Sequence, residues 1–348
     1  MKKTYRSLAL IIITLLALSS TSSFAQLRYK VDYRMLFDNL EASKPYAMDR
    51  THAGILLTPH LGFNMGNHSL IVGAGIQELF GTKKTVDNID LRAYYEYKDS
   101  KFKAIAGIYS VYEREPLPLS YNTTSQLFMN DKAQGFYGKY KNETGYMEAW
   151  VDWFKSDVAN RVDRFTLAGS GEKWWNDFRL KGIIRYTHFA DRPVFEEFNL
   201  FDHFQYDLNV GYDFASHQEV FSSILFTVGL SGDMDRPRND ANLGFEPHVG
   251  FQTEQLIKWR GFSLHNTFYI GQAQMKYASE YPFIYTGSPF YNDKWNDMLI
   301  AKYAYQFKWF GLSACFATFF TPETISTQQL VTITFNIDDV VNFKKKNN

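Results

Sequence analysis

From Leu27 onward, apolar and polar residues alternate with a period of two, and no stretch sustains a helical period. Phe204, Tyr206, Leu208, Val210, Tyr212 and Phe214 are interleaved with Gln205, Asp207, Asn209, Gly211 and Asp213. Ile89 to Lys98, Phe178 to Thr187 and Leu299 to Trp309 repeat the pattern. Each such run predicts a strand with one apolar and one polar face. Tight-turn signals fall at Gly66-Asn67, Asp99-Ser100, Asn142-Glu143, Asn176-Asp177, Ser216-His217, Arg260-Gly261 and Gly311. Longer loops are expected at about 38–51, 82–88, 115–132, 155–161, 189–202, 232–243, 276–296 and 321–326. Seven short turns alternating with eight long loops predict sixteen strands, both chain ends on the short-turn side, and no domain boundary or linker between them.

A tilted strand of about 9 to 11 residues crosses a bilayer. The aromatic content fits that setting: 31 Phe, 23 Tyr and 7 Trp make up 18% of the 348 residues. Rings cluster beside the short turns, as in Tyr97 and Phe102, Trp175 and Phe178, Trp259 and Phe262, and Trp309 and Phe310. Amphipathic rings at a constant level along successive strands are the mark of an interfacial girdle. The fold class expected is therefore all-β, a closed antiparallel up-and-down transmembrane barrel of about sixteen strands, with no edge left open.

The first 25 residues differ from the rest. Lys2, Lys3 and Arg6 precede an apolar run of 11 residues, Leu8 to Leu18, and Ser23-Phe24-Ala25 offers small residues for cleavage. That is the arrangement of a secretory signal peptide, and the run is too short to span a membrane. The expected division is a signal peptide over 1–25, a barrel over 26–338 and a short tail over 339–348. With 37 basic and 37 acidic residues there is no basic excess for nucleic acid, and the lone cysteine excludes an internal disulfide.

Nearly all of Leu27 to Ile337 thus resembles the outer-membrane β-barrels of Gram-negative bacteria, and the strand count resembles their porin branch. The end of the chain departs from many such barrels, which finish on an aromatic residue; here Phe343 is followed by Lys344, Lys345 and Lys346. The resemblance implies an outer-membrane location with both termini periplasmic. It implies lipid, a small hydrophilic solute and the outer-membrane assembly machinery as partners, and it is compatible with a homo-oligomer. The function expected is passive diffusion through a porin-like channel. A barrel that binds glycans or a protein partner through its loops is the alternative, and a hydrolase a more distant one.

If the apolar face meets lipid, the polar face lines a lumen. Arg92, Glu96, Glu148, Asp152, Arg164, Arg179, Lys181, Arg185, Asp207, Asp213, Lys302 and Lys308 are the pore-lining candidates. Across the middle of the chain they form acidic, basic, basic and acidic rows, which either set up a transverse field for polar solutes or pair with one another. The loop near 277–297 carries Tyr277, Tyr281, Phe283, Tyr285, Phe290, Tyr291 and Trp295, an aromatic set suited to a constriction, a sugar-binding surface or a packed lid.

Catalysis is not expected. Outer-membrane lipases and deacylases resemble this architecture but use a Ser and a His on adjacent strands. Here Asp202-His203 and His68-Ser69 are neighbours in sequence and so point to opposite faces of a strand, while His60 and His265 sit at lumen parity, where a partner would have to come from another strand. Asp233, Asp235 and Asp240 lack the order of a calcium-binding loop, and neither a metal nor a cofactor is expected.

Overall fold

The computed structural model describes residues 26–44, 47–157, 162–191, 199–237, 244–278 and 285–341. The expected signal peptide, Tyr281, Phe283, Asp240 and Phe343 lie outside the described residues. The strands are β1 (Gln26–Lys44), β2 (Ala47–Met65), β3 (His68–Leu79), β4 (Asn88–Lys98), β5 (Phe102–Ser110), β6 (Lys132–Asn142), β7 (Gly145–Asp157) and β8 (Val162–Trp175). They continue as β9 (Phe178–Asp191), β10 (Asn199–Asp213), β11 (Ser223–Pro237), β12 (Glu246–Trp259), β13 (Phe262–Gly271), β14 (Trp295–Phe307), β15 (Phe310–Phe320) and β16 (Ile325–Val341). Each pairs antiparallel with its chain neighbours, and β1 pairs with β16 from Leu27↔Val341 to Glu41↔Thr327, closing the barrel. Among the described residues no helix is long and apolar enough to cross a membrane. Strands paired around a closed ring make the crossing instead.

Several expected boundaries change: β10 begins at Asn199 and β11 runs to Pro237, inside the loops expected over 189–202 and 232–243, and β16 runs to Val341, into the tail expected from 339, because pairing with the neighbouring strands continues there. The long loop expected over 38–51 is strand, because β1 and β2 extend as a hairpin paired from Gln26↔Asn64 to Lys44↔Ala47, with one irregularity between Leu40 and Ser43.

Outward positions are apolar and exposed, among them Leu91, Leu167, Ile184, Leu208, Val210 and Leu230. At the short-turn end the rings touch one another: Phe102–Tyr140 at 4.8 Å, Phe178–Tyr212 at 4.9 Å, Phe262–Tyr303 at 4.8 Å and Trp309–Phe335 at 4.8 Å. The apolar band and its girdle thus fix the membrane-facing surface and one of its rims.

The core is the lumen, and two long loops enter it. Residues 111–131, between β5 and β6, carry a short helix α1 (Thr124–Met129) capped by Thr123, whose side chain accepts from Gln126 N. The loop reaches walls on many sides: Gln77 donates to Phe128 O, Tyr121 to Ile183 O, and Gln205 to Ser120 O. Where it leaves the wall, the facing glycines Gly107 and Gly135 both take positive φ, 131° and 148°. A side chain on Gly107 would meet Ala93 O at 2.4 Å, so only glycine fits this bend without displacement. The second inserted segment, 272–294, meets the first directly: Thr123 N donates to Thr286 O and Ser288 N to Leu119 O.

Candidate active site

Four of the charged wall residues, Arg92, Glu148, Asp152 and Arg185, engage the inserted loop. Arg92 makes two bonds to Asp131, at 2.6 and 2.8 Å, and has no exposed surface. Glu96 meets Arg28 at 2.6 Å, Asp152 meets Arg114 at 3.3 Å, and Glu148 accepts from Glu115 N, Tyr137 Oη and Ser170 Oγ. Arg185 donates to Tyr121 O, Asn122 Oδ1, Thr286 Oγ1 and Gln205, joining both loops to β9. Glu113 lies between Lys30 and Lys103; burial acts to raise its pKa, but the two cations prevail and hold it down at about 2.

The other candidates sit differently. Arg179 pairs with Glu172 at 3.3 Å, Arg164 lies over the Phe189 ring, and Asp207 accepts from Asn209. Lys181 faces Glu172 across the β8–β9 ladder, and Lys302 faces a cavity. Asp213 and Lys308 belong to the turn end: Asp213 accepts from Ala215 N and Ile224 N, and Lys308 has φ 45°. Below the loops remains a cavity of about 1210 Å³ lined by Arg34, Arg114, Asp152, Arg185, Lys302 and Thr332 among others.

The aromatic loop is built as a lid on the inner wall. Phe290 stacks on Phe319 at 4.3 Å, Tyr291 packs on Tyr269 and donates to Gln252 Oε1, and Tyr285 lies against His203 at 4.7 Å. Tyr277 rests on Phe201, while Trp295 opens β14 opposite Ile270.

Ladder registry produces what sequence adjacency hides. Asp202 and His203 do point to opposite faces, and each finds a partner across the ladder. On the inner face His203 Nδ1 lies 2.6 Å from Asp235 Oδ1, and His248 Nδ1 lies 2.8 Å from Asp233 Oδ1. Asp233 and Asp235, expected in a loop, stand in β11.

On the outer face, the one carrying Leu208 and Val210, the Asp202 carboxylate lies 2.8 Å from His188 Nδ1. It accepts from Tyr186 Oη at 2.7 Å and from Arg236 Nε and Nη2 at 3.0 and 2.6 Å. Asp202 has no exposed surface, whereas the His188 side chain keeps 19%. The ring sits 5.1 Å from Phe165, which leads to Trp153 at 6.2 Å, and Arg236 lies 4.3 Å above Phe245.

This arrangement can do chemistry. A carboxylate held by three donors fixes the histidine tautomer, so that Nδ1–H faces Asp202 and Nε2 is left as a base. The outward neighbours on β8 to β11 are Asp163, Phe165, Leu167, Tyr186, Ala190, Leu200, Phe204, Met234 and Arg236, so among the described residues no serine or threonine of these strands adjoins the imidazole. The nucleophile such a base would activate is water. Ten residues separate Phe178 at the turn from His188. At about 3.3 Å per residue and a tilt near 40°, that is about 25 Å of height, the thickness of the apolar band. The pair therefore lies at the interface opposite the turns.

A family model described as Lipid A 3'-O-deacylase-type matches residues 19–346. That finding overturns the expectation that the chain is not an enzyme. No curated protein sequence matches the chain. Among solved structures, an OmpT loop L8 deletion mutant, an outer membrane protein of Vibrio cholerae, is similar at 8% identity and TM-score 0.53, covering 90% of this chain and 99% of its own. OccK8 (OprE) of Pseudomonas aeruginosa is similar at 10% identity and TM-score 0.51, covering 90% and 98%. At these identities the likeness is one of fold, that of Gram-negative outer-membrane barrels.

Proposed function

We propose, from the premise that this chain belongs to the Lipid A 3'-O-deacylase-type family, that it is an outer-membrane hydrolase removing an ester-linked acyl chain from a lipid A-class glycolipid. The observation that carries the reading is the outward-facing His188–Asp202 pair, set among aromatic rings at the level of lipid headgroups. With the turns and both termini in the periplasm, that level is the outer leaflet, where acyl esters of a glycolipid lie beside the barrel wall.

In this mechanism His188 Nε2 takes a proton from water as its oxygen attacks the ester carbonyl. The imidazolium formed is stabilised by Asp202 and returns the proton to the departing sugar oxygen, giving a free fatty acid and a hydroxyl. Asp202 is a positioning residue, and the Arg236 guanidinium supplies positive charge for an anionic headgroup. Phe165 and Trp153 offer an apolar path for the acyl chain.

Passive diffusion of small hydrophilic solutes, the function expected from the strand count, is favoured by the cavity of about 1210 Å³ and opposed by the two loops that cross the lumen. The test is incubation of the purified barrel in detergent with lipid A and mass spectrometry of the lipid. Loss of one acyl chain is expected, and an unchanged lipid mass would remove the hydrolase reading.

A further inference from the structure

The inner face of the same strands carries a second cluster, whose argument does not rest on the hydrolase reading. His203, Asp233 and Asp235 are all buried, and their ligand-type atoms lie within 4.8 Å of one another. Hydrogen bonding accounts for only part of the group. His203 Nε2 is sealed from solvent with no hydrogen-bond partner among the described residues, while the Asp235 carboxylate has His203 Nδ1 and the Tyr285 hydroxyl as its neighbours. Asp235 and His203 have no exposed side-chain surface at all. Two buried carboxylates this close together repel each other and carry a desolvation cost that a neutral wall would not.

We infer that His203, Asp233 and Asp235 form a binding site for a divalent transition-type cation, with Zn²⁺ the best fit. One imidazole nitrogen and two carboxylates match the nitrogen and oxygen donors of Zn²⁺, whereas Ca²⁺ requires six to eight oxygens. With metal–ligand bonds near 2.0–2.2 Å, tetrahedral ligand atoms stand about 3.4 Å apart, so atoms that lie within 4.8 Å of one another reach that spacing by rotation of side chains already on neighbouring strands. The surroundings hold the ligands in place. His248 Nδ1 fixes Asp233 Oδ1 at 2.8 Å, and Met275 N donates to Asp233 Oδ2 at 2.8 Å. Because Met275 and Tyr285 belong to the inserted segment 272–294, the ion also fastens that lid to β10, β11 and β12.

The experiment uses the full folded chain in detergent micelles, stripped with EDTA and titrated with Zn²⁺ alone by calorimetry, with metal content read by mass spectrometry. One Zn²⁺ per chain is expected. Asp235→Asn and His203→Ala, checked for folding by heat-modifiable gel migration, should weaken binding at least tenfold. His188→Ala, on the outer face, should bind as the wild type does, so loss of hydrolysis and loss of metal are separable. Zn²⁺-edge X-ray absorption on the wild type does not depend on any variant folding, and it should show imidazole scattering with oxygen neighbours. No Zn²⁺ bound by the wild type, unchanged binding in both ligand variants, or an all-oxygen shell would each overturn the site.

Discussion

His188→Ala should lower acyl-ester hydrolysis by about 100- to 10,000-fold, the range for removing a positioned general base, while the barrel still folds and migrates as a heat-modifiable species. The substitution is cheap for the fold because His188 is partly exposed and contributes no backbone pairing beyond that of any residue at its place in β9. Asp202→Asn should act through His188 and chiefly on kcat. A carboxamide cannot stabilise the imidazolium, and it leaves the Arg236 guanidinium without its counter-charge. The Arg236→Ala variant should instead act chiefly on KM, through the anionic headgroup. Rates measured on lipid A in mixed micelles separate these cases. Full activity in His188→Ala would place the chemistry elsewhere on the barrel.

The second large effect concerns the lumen. A sixteen-strand barrel without an obstruction encloses an aqueous channel. Here residues 111–131 cross it, anchored by Arg92 on Asp131 and by Arg185 on Tyr121, Asn122 and Thr286. Both guanidiniums are buried; Arg92 and Asp131 form a buried charge pair, whose breaking costs about 3–5 kcal/mol because the remaining partner is left uncompensated, while removing Arg185 leaves its neutral acceptors on both loops without their donor. The double variant Arg92→Ala with Arg185→Ala should therefore release the loop from the wall. In planar bilayers the wild type should show little or no stepwise current, and the double variant should show large single-channel steps. Equal conductance in the two would mean that the loop does not close the lumen.

The barrel itself was legible from sequence for a plain physical reason. Period-two alternation and short turns are local signals, so the strand number, the lipid face and the turn-side girdle follow from residues such as Leu208, Val210 and Phe178. The destination of a loop is not local. Residues 115–132 read only as a long connection, because nothing in Ser120 or Tyr121 announces bonds to Gln205, Arg185 and Ile183 on distant strands.

The outer-rim pair was hidden by a different error. Asp202 is weighed only with its sequence neighbour His203 and falls in the loop expected over 189–202, and His188 is not among the sequence candidates, yet in a β-hairpin the relevant neighbour is the mirror image about the turn. His188 and Asp202 mirror each other about residue 195, as His203 and Asp235 do about residue 219. Listing polar residues by their mirror positions would have brought out both pairs, though not which face is catalytic.

The most direct test of the account is hydrolysis of lipid A by the wild-type barrel in water enriched in ¹⁸O, followed by the mass of the fatty acid released. Attack of His188-activated water on the acyl carbon predicts one ¹⁸O in the carboxylate and none in the sugar hydroxyl. Release without label, or no release at all, would contradict it.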